Sequence, residues 1–470
     1  MTPMNDSRSK MKKIAIVGGG ISALACAVDL KEKGFDFTLF EKESAVGGKL
    51  FTEKIGGFTV EGGPDSYLPE KIWSVQLIKK VGLSAEMLCS NDEHKGTFIY
   101  SGGRLHPLPE GVMLMVPTMI MPLAKSSLIS WPGKMRMGME LFIPSRKDLK
   151  DESLAEFVTR RLGQECLEKI AEPLVAGIHT SNPDNMSVLA TFPRFVDMER
   201  KSGSLIKGMV ATMKKMPPPN LSGSKMTYFM SLKEGMQELV QGCVSYIGRE
   251  RIRTETAVVS VAKKEGGYRL TFGDGSTADF DAVVLATPSY VTREILGDMD
   301  QDLCDRLSAI AWSSSATVSI AFRKEEMKKP LPGFGFIVPR IENRRINACT
   351  WSSIKWSHRA PDGTALIRSF VGGGHHEELV SLDDKELLAI VREELRDMIG
   401  ISAEPVFSKV YRWFQGMPKY TVGHLDRIAA IDEKRKRHPG LFLIGCSYRG
   451  IGIGDCVKSG FDAAAAIAAL

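Results

Sequence analysis

Residues 12–23 read KKIAIVGGGISA, and this stretch decides the fold class. The apolar run at its start is rich in β-branched residues, which is typical of a buried parallel strand. It ends in three glycines, and residues 21–33 (ISALACAVDLKEK) then carry the small and apolar face of a helix that stops at Gly34. A second strand, FTLF, follows at residues 37–40. We therefore predict a βαβ unit at the start of the chain.

The glycine turn fits the GxGxxG/A fingerprint of dinucleotide-binding folds, with Ala23 in the third position. Gly18 permits the tight turn out of the strand, and Gly20 lets the backbone approach a pyrophosphate. Glu41 lies about 20 residues further on, where an acid accepts hydrogen bonds from an adenosine ribose. Its charge also disfavours a ribose phosphate. The pattern predicts a dinucleotide other than NADP.

Two more glycine clusters follow the second strand. Gly47 and Gly48 come just after it, and residues 56–66 read GGFTVEGGPDS. In this arrangement the chain returns to an extended cofactor, which favours FAD over NAD. Glycine doublets also occur in ordinary loops, so these clusters alone leave both interpretations open.

Composition narrows the class of protein. A chain of 470 residues predicts two or three domains, and a net charge of +6 without a long basic block gives no reason to expect nucleic acid. The eight scattered cysteines form no CxxC pair and follow no secretory signal, so we expect reduced thiols in the cytoplasm. Residues 111–124 (GVMLMVPTMIMPLA) are too short to cross a bilayer, and we expect them to line a channel or rest on lipid.

The remaining chain alternates between helical and strand-rich segments. Helical spacing is found at residues 151–163, 165–176, 194–215 and 383–398. Residues 216–224 (MPPPNLSGS) are predicted to be a linker. Strands are predicted in a meander over residues 256–286, in a second region over residues 317–370, and at residues 441–445 ahead of a glycine loop and an alanine-rich helix.

Several longer motifs resemble the FAD-containing amine oxidase and protoporphyrinogen oxidase superfamily, and within it the bacterial-type, oxygen-dependent protoporphyrinogen/coproporphyrinogen III oxidases. The resemblance covers nearly the whole chain. It is carried by GGPDSYLPEK (62–71), GGRLHPLPEG (102–111), EPLVAGIHTSNPDNMSVLATFPRF (172–195), GFGFIVP (333–339), RWFQGMPKYTVGH (412–424) and GCSYRGIGIGDC (445–456). The segment at 172–195 is the most specific, because the FAD fingerprint itself recurs in many unrelated oxidases.

The resemblance implies an FAD enzyme of haem biosynthesis that removes six hydrogens from a porphyrinogen in three two-electron steps, with molecular oxygen as the acceptor. It also implies which residues hold FAD: Val17, Gly18, Gly19, Gly20, Ile21, Ser22, Glu41, Lys42, Lys49, Gly63, Pro64, Asp65, Ser66, Val258, Trp413, Ile451, Gly452 and Ile453. Asp455 is expected to cap the last helix. No catalytic residue and no metal ligand is assigned, because hydride passes directly to the flavin.

The family's substrate positions correspond to Gly177, Ile337 and Phe370, which imply an apolar slot for a flat macrocycle. Mitochondrial and plastid members carry an arginine where this chain has Thr97, so their carboxylate anchor is missing. Lys71 is our candidate for a replacement cation near the propionates; a plain surface lysine is the alternative. His375 and His376 are interpreted as part of a polar loop rather than a metal or proton-shuttle site.

The predicted fold is α/β, with α+β character in the inserted parts. A discontinuous Rossmann-like FAD domain is expected from residues 11–65, 228–297 and 410–470. A mixed-sheet substrate domain is expected from residues 66–90, 211–227 and 298–409, and a helical domain that leans on the membrane from residues 91–210. Further expected partners are the inner face of the cell membrane and a downstream haem-pathway enzyme.

Two other functions stay open at this point. One is another oxidase of the superfamily, acting on amines or carotenoids. The other is a binder without catalytic activity, because the same fold includes prenyl-protein escort factors that do not use flavin. The preference for protoporphyrinogen IX or coproporphyrinogen III is also open, although Lys71 leans toward the latter.

Overall fold

The computed structural model describes residues 12–113, 115–148, 150–215, 226–327 and 329–470. The predicted linker at residues 216–224 lies outside them. The strands are β1 Lys13–Val17, β2 Asp36–Phe40, β3 Thr52–Ile55, β4 Phe58–Glu61, β5 Met87–Cys89, β6 Thr97–Ser101, β7 Arg104–Pro107, β8 Val112–Met113, β9 Val116–Pro117, β10 Met230–Leu232, β11 Ile252–Arg253, β12 Val258–Lys264, β13 Gly267–Phe272, β14 Thr277–Phe280, β15 Ala282–Leu285, β16 Trp312–Arg323, β17 Gly335–Ile337, β18 Ala348–Trp351, β19 Thr364–Gly372, β20 Phe407–Pro418 and β21 Leu441–Leu443.

The α-helices are α1 Ile21–Glu32, α2 Ile72–Lys80, α3 Ile120–Lys125, α4 Trp131–Gly138, α5 Leu154–Leu162, α6 Gln164–Cys166, α7 Glu172–His179, α8 Val188–Thr191, α9 Pro193–Ser202, α10 Leu205–Lys215, α11 Gln237–Ile247, α12 Ser289–Leu296, α13 Gln301–Ser308, α14 Ser352–Lys355, α15 Asp384–Ile399, α16 His424–Arg435 and α17 Ile453–Ala468. A π-helical turn, Leu167–Ala171, joins α6 to α7. Short 3-10 turns connect several of the other elements.

The first sheet is parallel and has the strand order β11-β2-β1-β15-β21. Its central strand β1 is apolar on both faces: Ile14 and Ile16 pack under α1, and Ala15 and Val17 pack on the opposite side. This arrangement explains the continuous apolar run in the sequence, because both faces of a parallel sheet are covered. The predicted βαβ unit and the α/β fold class are confirmed.

The opposite face of this sheet is covered by the antiparallel meander β12-β13-β14. Tyr268, Leu270 and Phe280 from the meander share one apolar cluster with Val17 of β1. The meander follows from the sequence, because its strands are joined by the tight turns GG and GDGS.

The last helix lies directly on the first. A Cβ atom at Gly460 of α17 would stand 2.3 Å from the carbonyl oxygen of Ser22 in α1, so only glycine permits this approach. The contact brings the beginnings of the two helices, which are more than 400 residues apart in the chain, to the same region.

A second, seven-stranded sheet has the order β20-β16-β19-β18-β17-β6-β7 and is antiparallel apart from the pair β17-β6. One face packs against α15 through residues such as Val318 and Phe336. On the other face, Ile99 of β6 joins the apolar cluster of the helical segment.

Two expected domain boundaries differ from the pairing of the strands. The boundary at residue 91 assigns β6 and β7 to the helical domain, but β6 pairs with β17 in the seven-stranded sheet. The boundary at residue 410 divides β20, which runs as one strand beside β16. Long-range strand pairing, which the local pattern does not specify, produces both differences.

Helices α3 to α10 pack around one apolar cluster with Phe157, Ile170 and Phe195 at its centre. Helix α5 begins with a capping box between Ser153 and Glu156, and the fully buried Arg161 is paired with Glu140. Residues 111–124 contribute β8, β9 and α3 to this part. Among the residues that the structure describes, no helix is long and apolar enough to cross a bilayer.

Candidate flavin site and substrate face

The glycine turn after β1 leaves an open space above its backbone. Gly18 has a φ of +96°, and a Cβ there would meet the carbonyl of Ala286 at 3.3 Å. At Gly20 a Cβ would meet no protein atom within 4 Å. Gly20 is also the residue before α1, and no side chain caps that helix. The first amides of α1 therefore face a space that an anionic group can enter.

The three glycine clusters converge on this space. The amide of Gly47 donates to the carbonyl of Gly19 over 2.8 Å, and Gly48 approaches Gly20. The third cluster lies against the second, because a Cβ at Gly63 would stand only 1.8 Å from the carbonyl oxygen of Lys49. The return of the chain that the sequence predicts is present in the structure.

The loop before α17 provides a second helix start. Gly452 precedes α17 in an extended conformation and without a side-chain cap. The capping role predicted for Asp455 is therefore wrong, because its carboxylate is paired with the ammonium group of Lys71 instead. The loop itself is held by Tyr420, whose hydroxyl donates to the carbonyl of Cys446 and accepts from the amide of Gly450.

The same ion pair affects the predicted role of Lys71 as an anchor for a propionate. Its ammonium group is neutralised by Asp455 at the start of α17, and the Lys71 side chain lies over Gly454. The compact ammonium charge of Lys71 is thereby offset by Asp455, whereas an arginine that pairs with one carboxylate keeps further N–H donors for a second one. This arrangement argues against the predicted propionate anchor.

Glu41 is placed as predicted, at the end of β2 beside the glycine turn. Its carboxylate accepts from the amide of Gly19 at 2.6 Å and from that of Glu43 at 2.9 Å. Each oxygen keeps a second lone pair, so a ribose hydroxyl can still be bound. Lys42, in contrast, is exposed and pairs with Glu43 on the surface.

The remaining predicted FAD residues lie around this space or in the elements that frame it. Trp413 of β20 donates its indole N–H to the carbonyl of Gly62 over 2.8 Å, and Lys49 donates to the carbonyl of Gly416. Val258 is buried where the meander begins. The other members of the set are Val17 and Ile21 to Ser22 at the first turn, Gly63 to Ser66 in the third glycine cluster, and Ile451 to Ile453 before α17.

The side chain of Asp65 faces α14 and the seven-stranded sheet, which we call the substrate sheet, rather than the open space. Its carboxylate accepts from Lys355 at 3.1 Å and from the indole of Trp356 at 3.1 Å. Burial alone raises the pKa of this carboxyl, but Lys355 and Arg368 outweigh it and hold the pKa well below its usual range. Asp65 thus fixes the glycine cluster in place as an ionised side chain.

These observations fit FAD. The space above Gly20 accepts phosphate oxygens at the start of α1, Glu41 accepts ribose hydroxyls, and the uncapped start of α17 offers further amides. The segments that frame it come from both ends of the chain, as an extended dinucleotide requires.

The predicted substrate residues share one surface of the seven-stranded sheet. Ile337 pairs with Ala348, and Ala348 pairs with Phe370, so their side chains project to the same face. Helix α7, which carries Gly177, contacts β17 on this face. We call the row Ile337, Ala348 and Phe370 the substrate face.

A cleft adjoins the substrate face, where α7, the end of β17 and the loop after β19 meet. Its lining includes Glu172, Arg340, Arg344, Asn347 and His375. The two arginines are held by carboxylates, Arg340 by Asp184 at 3.2 Å and Arg344 by Glu394 at 3.5 Å. The polar loop predicted around His375 therefore forms one wall of a polar cleft that contains two arginines.

Glu172 is the buried acid of this cleft. One of its oxygens accepts from the amide of Arg340 over 3.1 Å. Burial raises the pKa of the Glu172 carboxyl to about 7, so this group is close to half protonated at neutral pH. Burial likewise lowers the pKa of His375, which keeps the imidazole neutral there.

The sequence patterns did not single out Arg368, Lys355, Tyr420 and the two cleft arginines. A charged residue inside an apolar strand, as in LIRSFV at residues 366–371, is the signal that could have found Arg368. The partners of the others are far away in sequence, so no local pattern reveals them.

The comparison with known proteins agrees with this geometry. The model of the family of flavin containing amine oxidoreductases matches residues 21–468, and the chain belongs to this family. It is thus a flavin-dependent oxidoreductase, and the prediction of FAD is confirmed.

The chain is 35% identical over 456 residues to the coproporphyrinogen III oxidase of Bacillus subtilis, covering 96% of each protein. It is 32% identical to the enzyme of that name from Staphylococcus aureus, covering 96% of this chain and 98% of the other. A provisionally named protoporphyrinogen oxidase from Exiguobacterium sp. has a crystal structure with a TM-score of 0.85, 33% identity, and coverage of 97% and 99%.

Replacing Gly20 by valine tests whether FAD is bound in the open space above this residue. Gly20 has a φ of −70°, which valine can adopt, and a Cβ added there meets no protein atom within 4 Å. We expect the apoprotein to keep its melting temperature within about 2 °C, whereas FAD binding, measured by titration of the apoprotein, is lost. A Gly20→Val protein that is purified yellow with undiminished flavin content would contradict the placement.

Replacing Glu172 by glutamine tests the buried acid. Because the folded-state pKa is about 7 and the ordinary value is 4.5, the native state binds the extra proton and stability falls as the pH rises through this window. We expect the variant to lack this loss, and to exceed the wild type by about 3 kcal/mol in free energy of unfolding at pH 8 but not at pH 4. Glu168→Gln, at a partly exposed position of the same helical run, is the control. If the free energy of unfolding depends on pH in the same way in the wild type and in Glu172→Gln, the raised pKa assigned to Glu172 is refuted.

Proposed function

We propose that this flavoprotein oxidises a porphyrinogen to the porphyrin by removing six hydrogens in three two-electron steps. The similarity to coproporphyrinogen III oxidases over 96% of both chains carries the proposal. The substrate face supports it, because the apolar ring faces of a pyrrole macrocycle fit a row of apolar side chains beside the flavin site.

When bound, FAD supplies the two-electron oxidation, and we expect molecular oxygen to take up the electrons. The protein's own part is to position the substrate. Ile337, Ala348 and Phe370 offer an apolar surface, and Gly177 on α7 adds no side chain above it. Such a site needs no acid or base of its own, because pyrrole protons can pass to water.

We further propose that coproporphyrinogen III is the preferred substrate. It carries propionates where protoporphyrinogen IX carries vinyl groups, and the cleft beside the substrate face contains Arg340 and Arg344. Arginine is suited to carboxylates because its planar fork forms two parallel hydrogen bonds. These cations take over the role that Lys71 was predicted to have.

Purified protein should convert both porphyrinogens to fluorescent porphyrins, with the higher kcat/KM for coproporphyrinogen III. In the Arg340→Met variant we expect kcat/KM for coproporphyrinogen III to fall about tenfold and that for protoporphyrinogen IX to change less. Arg396→Met, at an exposed position of α15, is the control.

Three results would count against this proposal. Turnover of an amine or carotenoid without porphyrin fluorescence would favour another oxidase of the superfamily. A protein that is colourless and cannot be reconstituted with FAD would favour a binder. An equal loss for both porphyrinogens in Arg340→Met would refute the preference while leaving the activity intact.

We also propose that the helical part rests on the anionic inner face of the cell membrane. Trp131, Met135 and Met139 follow one another at intervals of four residues along α4 and the turn after it, and Phe142 continues the row with 85% of its surface exposed. We call these four residues the apolar stripe. Lys134 lies over the ring of Trp131 at 4.5 Å, so a cation accompanies the stripe, as in helices that lie on anionic lipid.

Sedimentation with lipid vesicles tests this contact. We expect binding to vesicles that contain phosphatidylglycerol, weaker binding in high salt, and at least a tenfold loss when Trp131, Met135 and Phe142 are replaced by glutamine. Replacing the exposed Leu425 and Val422 instead is the control. If the protein binds a purified downstream haem-pathway enzyme but not the vesicles, the proposal that the apolar stripe contacts lipid is contradicted.

A further inference from the structure

Arg368 is a charged residue in the middle of an apolar strand. It lies in β19, two residues before Phe370, so both side chains project to the same face of the sheet. Only 4% of its surface is exposed. An arginine so deeply buried needs partners that compensate for the water it has lost.

Its partners belong to the flavin site. The guanidinium donates to the carbonyl of Gly63 over 2.7 Å and to that of Gly62 over 3.4 Å. Trp413, from the neighbouring part of the same sheet, donates to the same carbonyl of Gly62. Two side chains of the substrate sheet therefore hold the backbone of the glycine cluster that packs on Lys49.

The same guanidinium also contacts the substrate face. Its central carbon lies 5.0 Å from the centre of the Phe370 ring, which is cation–π distance. Arg368 thus touches the glycine cluster of the flavin site with one part and Phe370 with another. Among the described residues, its Nε makes no hydrogen bond, so the backbone carbonyls supply the hydrogen bonds that hold it.

The charges around Arg368 keep it ionised. It lines a small cavity together with Asp65, Glu61, Arg359 and Ser319. Burial lowers the pKa of Arg368, and Asp65 and Glu61 oppose this effect. Lys355 adds a further cation on Asp65, so the cluster contains three cations and two carboxylates and retains positive charge.

We propose that Arg368 is a positioning residue that fixes the Gly62–Gly63 backbone against the substrate face and thereby couples FAD binding to occupancy of that face. The coupling is reciprocal, because one side chain contacts both surfaces. A ligand stacked on Phe370 orders the guanidinium, which in turn orders the glycine cluster. The substrate half of this inference rests on the proposed function; the flavin half does not.

The first measurement is the affinity of the apoprotein for FAD, followed by quenching of tryptophan fluorescence. We expect Arg368→Met to bind FAD roughly tenfold to a hundredfold more weakly, because charged hydrogen bonds to the carbonyls are lost. Arg368→Lys should recover part of the loss, since an ammonium group can reach one carbonyl.

Arg359→Met is the matched control. Arg359 is equally buried and lines the same cavity, and it pairs with Glu61 at 3.6 Å. Its hydrogen bonds go to Leu232, Lys233 and the Ser231 hydroxyl, and not to the carbonyls of Gly62 and Gly63. We expect it to lower the melting temperature without changing the affinity for FAD. If both methionine variants lose stability alike and neither changes FAD affinity, Arg368 is only a structural residue and the proposal is overturned.

The second measurement repeats the FAD titration in the presence of coproporphyrin III, which is a product and does not turn over. In the wild type we expect tighter binding of FAD, and in Arg368→Lys a smaller gain. An unchanged gain in Arg368→Lys would overturn the coupling. If no protein variant binds the porphyrin, the proposed substrate is wrong, and the FAD titrations still decide whether Arg368 positions the glycine cluster.

Discussion

The structure depends on a backbone contact between two glycine clusters. The place where a Cβ of Gly63 would stand is 1.8 Å from the carbonyl of Lys49, so no side chain can be accommodated there. Through this contact the segment after β4 lies against the segment after β2, which itself lies on the glycine turn after β1. Without this contact the third glycine cluster would not lie against the cofactor space. Arg368 and Trp413 would then lose the Gly62 and Gly63 carbonyls to which they donate.

Much of the flavin domain could be predicted because its signals are local. A strand that ends in glycines, a helix with a small-residue face and an acid at the end of the next strand determine one another over about 30 residues. The prediction of β1, α1 and β2 agrees with the structure to within about one residue. The positions of β6 and β20 could not be predicted in this way, since each depends on pairing with a strand remote in sequence.

Charged side chains were the weakest part of the prediction, because their partners are far away in sequence. Lys71 and Asp455 were given separate roles, yet they form one ion pair across 384 positions of the chain. Asp65 was assigned to the cofactor, but its carboxylate binds Lys355 of α14, the short helix between β18 and β19. In each case the residue lies in the expected region, and the direction of its side chain depends on tertiary packing. Ile337 and Phe370 came from the resemblance to the family, and strand alternation adds only that their side chains lie on one face of the sheet.

The central claim is that this flavin site and the adjoining substrate face work together on a porphyrinogen. The most direct measurement is a single turnover without oxygen, in which the flavin absorbance of the purified holoprotein is followed after mixing with coproporphyrinogen III. We expect the absorbance to bleach as the first two-electron step occurs, and porphyrin fluorescence to rise only after oxygen is admitted, which restores the flavin colour and permits the two remaining steps. A flavin that stays oxidised with either porphyrinogen but bleaches with an amine would contradict it.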